Sequence, residues 1–273
     1  MVETILLISA GFVTGIIGAL LGIGGGSLLV PILVIFFHYP MHTAVAAGLV
    51  TIIATSISTA NVNFLKGTIN LRLSMLLEFI TVIFAILGGI VANKLNDSFL
   101  KVMFGVILSI VAFLYIKESI KPLNNNCNGN IKHNRYTDRY YDPDKGEDII
   151  YTPVNIFFSS GVSALAGLAS GMLGIGGGVF QVPAMNLISK MPLKVSIATS
   201  NYMIGLTAAG GSIPYITHGK ILPFLSINMI IGVIFGSKFA NNKFHKITDK
   251  KLKIVFAMFL LFVSLQMLYN GLK

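Results

Sequence analysis

Stretches near residues 43–65, 71–93, 99–116, 195–216, 221–240 and 252–268 run predominantly apolar over lengths that cross about 30 Å of hydrocarbon as helices. No other feature restricts the fold as much. In a bilayer interior every backbone N–H and C=O must be paired within the protein, which leaves helices or a closed barrel. Barrel strands alternate apolar and polar residues, and these runs do not. With 54% hydrophobic residues, 11% charged residues and a mean hydropathy of +0.80, there is too little charge to cover a soluble domain. The expected fold is an all-α polytopic membrane protein.

The net charge of +10 does not indicate nucleic acid, because the Lys and Arg residues sit singly or in small groups at the ends of apolar segments. The single cysteine, Cys127, lies in a polar loop and can form no internal disulfide, and no metal or cofactor framework is visible. The apolar N-terminus carries Glu3 where a signal peptide has a basic region, so it reads as mature structure.

Residues 21–31 read LGIGGGSLLVP, and residues 173–183 read LGIGGGVFQVP. The same offset of 152 aligns Pro40 with Pro192, Ala46 with Ala198, Gly67 with Gly219 and Ile69 with Ile221. The chain is therefore a duplication. Residues 1–116 form a first membrane repeat, 117–153 a charged linker, and 154–273 a second repeat. Each repeat has a long apolar segment, the glycine cluster, a short apolar segment and three spans. The linker holds NNNCNGN and equal numbers of acidic and basic residues, and it reads as a solvent-side tether without a packed core.

Positive charge separates the possible topologies. If each repeat crosses an odd number of times, one side receives Lys66, Arg72, the linker's six, Lys190, Lys194 and the six from Lys238 to Lys253, in all 16. The other side receives Lys94, Lys101, Lys220 and Lys273, only 4. An even count gives 10 against 10. The bias favours inverted repeats in the cell membrane, with both termini outside and the linker cytoplasmic. Inverted repeats are a common basis of alternating access, so transport is the expected function.

Gly22, Gly24, Gly25 and Gly26, repeated as Gly174, Gly176, Gly177 and Gly178, each cost about 1 kcal/mol relative to alanine inside a helix. The helix is expected to break there, and the following short segment enters the membrane only part way, as a re-entrant or discontinuous helix. The backbone N–H groups at the start of such a half-helix attract an anion. No acid stands near either tip, which disfavours a cation site. The plainer alternative is that these glycines only let helices pack closely. The spacing does not fit a nucleotide-binding loop.

After the first tip, Thr51, Thr55, Thr59 and Asn63 form a stripe on one helix face, flanked by Ser58 and Asn61; Thr199, Ser200 and Asn201 crowd the start of the equivalent helix. These groups could line a path or simply bond to the backbone of their own helices. Candidate binding residues are Gly24, Gly25, Gly26, Ser27, Thr51, Thr55, Asn61, Gly176, Gly177, Gly178, Gln181, Thr199, Ser200 and Asn201. Glu78 is the one acid well inside an apolar segment; lying near Arg72, it is expected to snorkel or pair at the rim, with a proton relay as the alternative. His42 and His218 are expected to be solvated near the outer face.

The paired LGIGGG…VP strings, each followed by a proline and an Ala/Thr/Ser-rich span, resemble the TauE/SafE sulfite exporter family of membrane permeases. The resemblance covers nearly the whole chain apart from the linker. It implies transport of sulfite, sulfoacetate, other sulfonates or small organic anions, often outward, with no enzymatic activity. It also places Gly24, Gly25, Gly26, Pro31, Gly176, Gly177, Gly178 and Pro183 in the substrate region. The expected partners are a small anion, the lipid bilayer and, as a candidate, a second copy of the chain. An anion channel is the nearest alternative and a membrane-embedded enzyme the more distant one. The enzyme would need a catalytic cluster that the sequence does not display.

Overall fold

The structure, a computed structural model, describes residues 2–65, 67–120, 134–142, 146–243 and 249–272. Lys66, Cys127 and the Asn-rich start of the linker lie outside the described residues. In order, the elements are α1 (Val2–Leu21), α2 (Gly26–Ile35), α3 (Met41–Leu65), α4 (Leu71–Ala92) and α5 (Asp97–Ile120), then the strands β1 (Asp138–Asp142) and β2 (Glu147–Tyr151). The second repeat follows as α6 (Ile156–Leu173), α7 (Gly178–Pro183), a π-helical turn (Ala184–Ile188), α8 (Leu193–Thr217), α9 (Pro223–Lys243) and α10 (Asp249–Leu272). Six described helices are long and apolar enough to cross a membrane: α1, α3, α4, most of α5, α6 and most of α9. This is an all-α polytopic membrane protein.

Glycine sets the breaks. Gly22, Gly24 and Gly25 end α1 and turn the chain into α2 with φ of 73°, 79° and 75°, and Gly174, Gly176 and Gly177 do the same between α6 and α7 with 69°, 80° and 71°. A side chain strains that backbone, and glycine does not. The offset of 152 also relates two non-glycine residues in the left-handed region, His38 and Lys190, both at φ 55°. The duplication in sequence is thus accompanied by duplicated geometry at its least common positions.

Packing between the repeats is reciprocal. α1 lies along α9 while α6 lies along α4, α3 lies against its counterpart α8, and α5 lies against its counterpart α10. Leu49 of α3 approaches Gly211 of α8, while Ser56 bonds to Asn201 O, so these counterparts run antiparallel. Small residues permit the closeness: a methyl at Gly15 stands 2.6 Å from Val233 O, and one at Gly171 stands 1.9 Å from Ala85 O.

The two ends of the bundle are held differently. At one end the Tyr39 hydroxyl donates to Glu3 at 3.0 Å, and Asp97 accepts from the Met41 N–H at 3.0 Å while pairing with His42. His42 also contacts Ala92 O at 3.0 Å, so it is anchored where solvation was expected. At the other end Asn70 and Arg72 donate to the linker's Tyr136 O and Arg135 O, the Asn70 N–H donates to Thr199, and the Val154 N–H just past the linker donates to Ser189 O. The α1–α2 pair therefore begins and ends at one face of the bundle, and α6–α7 begins and ends at the opposite face.

The linker departs from the tether reading. β1 and β2 form an antiparallel hairpin pairing Asp138 with Tyr151, Tyr140 with Ile149 and Asp142 with Glu147. Its buried face presents Tyr140 and Tyr151 to Leu73, Leu77, Met185, Met191, Val195 and Met203. Asn70 caps α4 by accepting from the Leu73 N–H, and its amide donates to Tyr136 O and the Tyr151 hydroxyl. Burial pushes the Tyr151 phenol above its ordinary range. Two aromatic anchors supply the packed contact that the charged composition conceals.

Candidate functional site

The glycine tips meet at mid-height of the bundle. A methyl on Gly26 stands 2.3 Å from Gly174 O, and one on Gly178 stands 2.3 Å from Gly22 O, so each tip lies against the backbone of the other. Ile52 and Ile204, near the middles of the 25-residue helices α3 and α8, close over them; Ile52 borders Gly24, Gly26 and Gly176, and Ile204 borders Gly24 and Gly178. The tips are buried, and this conformation is closed to both faces.

Neither half-helix has a side-chain cap: Gly25 and Gly177 occupy the capping positions. The first-turn N–H groups, Gly26 and Ser27 in α2 and Gly178 and Val179 in α7, thus have no intrahelical acceptor. They concentrate positive potential at the junction. Buried polar atoms without a partner among the described residues collect nearby: Ser27 Oγ, Ser170 Oγ, Gln181 Oε1 and Asn201 Oδ1. Partnerless buried polar atoms are uncommon, and each needs an explanation. Copy two relaxes its half-helix after Pro183 into the π-helical turn, whereas α2 continues as an α-helix beyond Pro31.

Of the sequence candidates, Gly24, Gly25, Gly26, Ser27, Gly176, Gly177, Gly178 and Gln181 come together at this junction. Ser200 donates to Gly22 O at 2.8 Å and Asn201 to Ala19 O at 3.1 Å, so α8 clasps the first tip through its carbonyls, while Thr55 donates to Thr51 O of its own helix at 2.9 Å and lies 3.4 Å from Gly24 O. Thr51 and Thr59 spend their hydroxyl protons on their own helix, at Ala47 O and Thr55 O, as the plainer reading of the stripe holds. Thr199 accepts from the Asn70 N–H near the hairpin. Asn61 stands elsewhere, nine residues beyond Ile52 and about 13 Å further along α3. It lines an exposed groove of about 580 Å³ with Ser58, Ile230, Ile234 and Lys238.

Sequence reasoning missed Thr81 and Ser170. Gln181 donates to Thr81 Oγ1 at 3.3 Å, which ties the second tip to α4. Glu78 lies one turn from Thr81 and is 5% exposed, so it does not snorkel; its Oε1 accepts from Thr207 at 2.8 Å. Arg72 instead donates to Arg135 O at the rim. No group of three or more potential metal ligands occurs among the described residues.

A helical membrane protein built from two pseudo-symmetric halves, with broken helices meeting at its centre, has the architecture of a membrane transporter. The chain belongs to the sulfite exporter TauE/SafE family, whose pattern it matches over residues 7–267. It is similar to the "Probable membrane transporter protein YunE" of Bacillus subtilis, 25% identical over 276 residues covering 98% of each chain. It is also similar to the "Probable membrane transporter protein MJ0441" of Methanocaldococcus jannaschii, 30% identical over 279 residues covering 96% of this chain and 94% of that one. No solved structure matches.

Proposed function

We propose that this protein is a secondary transporter that moves a small anion, a sulfur oxyanion or organosulfonate such as sulfite or sulfoacetate, by alternating access around the paired glycine tips. The carrying observation is the junction itself. Two uncapped half-helix starts converge where Ser27 Oγ and Gln181 Oε1 are buried without partners among the described residues, and neither glycine string nor the half-helix after it contains an acid. Convergent N–H groups and a hydroxyl suit a tetrahedral or pyramidal oxyanion better than a cation. The closed packing of Ile52 and Ile204 over the tips fits the occluded stage of a carrier, since an open pore needs a continuous path.

The 16-to-4 split of basic residues supports a cytoplasmic linker with both termini outside. Lys190, Lys194 and Arg72 stand at the hairpin end of the bundle and Lys94 at the other, which supports that reading. Carrier function is tested by counterflow in proteoliposomes, using sulfite, thiosulfate, sulfoacetate and short carboxylates. At least one sulfur anion is expected to exchange with saturation, and Gly25→Leu and Gly177→Leu are each expected to abolish it. Unitary currents would identify a channel, and transport that survives both replacements would remove the tips from the site.

A further inference from the structure

Glu78 has no role in the anion site described above, yet its surroundings are unusual for a carboxyl group. It sits seven residues into α4 with Oε1 held by Thr207 and Oε2 without a partner among the described residues. No cation faces it. α6 and α7 contain no charged residue, and the charge on α8 is Lys194, thirteen residues from Thr207, or about 20 Å along the helix. Tyr202 of α8 packs against the hairpin cluster, and the Tyr215 hydroxyl donates to Gly171 O. On α4 itself, Arg72 turns to Arg135 O. The hairpin's Tyr140 and Tyr151 pack on Leu73 and Leu77 toward the rim, and its Asp138, Arg139, Glu147 and Asp148 are exposed.

A carboxylate in that position would be an uncompensated buried charge, which costs far more than one hydrogen bond from Thr207 returns. A neutral carboxylic acid satisfies the same geometry, with Thr207 donating to its carbonyl oxygen and the acid proton on Oε2. Thr81, one turn further on, links this position through Gln181 to the second tip.

We infer that Glu78 is a proton-binding site of the transporter and that the closed conformation forms only when it is protonated. The inference rests on the transporter reading but concerns a different residue and a different ligand. When the bundle opens, Glu78 meets water and releases its proton; before closure it takes one back. Anion turnover therefore rises as pH falls, by up to about tenfold per unit where the deprotonated form predominates.

The test uses the full chain in proteoliposomes, with radiolabelled methanesulfonate as probe because its sulfonate does not titrate in the working range. Wild-type exchange is expected to fall as pH rises, whereas Glu78→Gln is expected to show one rate at every pH and Glu78→Asp to keep a pH dependence. Infrared titration of the purified wild type in lipid provides a readout free of any anion. A protonated carboxyl band is expected over the pH range in which exchange is fast, shifted in Thr207→Val, which loses the hydrogen bond to Oε1. An unchanged pH slope in Glu78→Gln, or no Thr207-sensitive carboxyl band, overturns the inference. If wild type exchanges no methanesulfonate at any pH, the sulfonate reading fails for this probe, and the infrared titration still decides Glu78.

Discussion

Replacing Gly26 or Gly178 with alanine presses directly on the joint between the repeats. Neither residue has the positive φ of its neighbours, so backbone strain does not enter. The added methyl at Gly26 would stand 2.3 Å from Gly174 O and 2.4 Å from Ile52 Cδ1, and that at Gly178 would stand 2.3 Å from Gly22 O and 3.0 Å from Ser200 Oγ. Ordinary carbon contacts need about 3.5 Å, so backbone must move from backbone by about 1 Å. Overpacking on that scale costs about 1–3 kcal/mol. For a chain of this size the melting temperature should drop by about 2–10 °C.

Gly161→Ala is the matched control. It lies inside α6 with nothing within 4 Å of the added methyl, so it should be neutral or stabilise by up to about 1 kcal/mol. The double replacement Gly26→Ala with Gly178→Ala opens a joint already opened by either one, and its cost should be less than the sum. The assay is thermal unfolding of the purified protein in detergent, alongside anion counterflow. If both tip variants prove as benign as Gly161→Ala, or if their costs add fully, the tips do not meet as described.

Other predictions concern the ends of the bundle. Tyr151→Phe removes the bond from Asn70 and should destabilise the hairpin contact by about 1 kcal/mol, seen as faster amide exchange across residues 138–151. Tyr140→Ala removes a buried aromatic anchor and should free the hairpin to limited proteolysis while the helices stay intact. Asp97→Ala deprives the Met41 N–H and His42 of their acceptor and should cost about 1–2 kcal/mol in thermal unfolding, with no change in which anions exchange.

The main plan was legible because it repeats. The two LGIGGG strings recur as the same left-handed turns ahead of α2 and α7, and the cost of clustered glycine announced those breaks. Each of these signals is local. What stayed hidden depends on contacts between distant segments. Asp97 reaches His42 across 55 positions, and Thr207 reaches Glu78 across 129. Position near Arg72 suggested that Glu78 would snorkel, but the linker draws Arg72 to the rim through Arg135. The hairpin escaped notice because Tyr140 and Tyr151 bury against residues of both repeats, while Asp138, Arg139, Glu147 and Asp148 are exposed. Asn61 flanks the polar stripe in sequence, yet α3 extends far enough past the tips to carry it away from them.

Alternating access at the tips is tested most directly by accessibility from each side in turn. Ser27 is fully buried at the first tip, and the sole native cysteine, Cys127, can be replaced by serine to give a clean background. Ser27→Cys in that background, in oriented vesicles, is treated with a membrane-impermeant anionic thiol reagent from one side or the other. Slow labelling from both sides, suppressed by sulfoacetate, is the predicted result. Labelling from one side alone, or labelling that sulfoacetate and every other transported anion leave unchanged, would contradict a central site at the paired glycine tips.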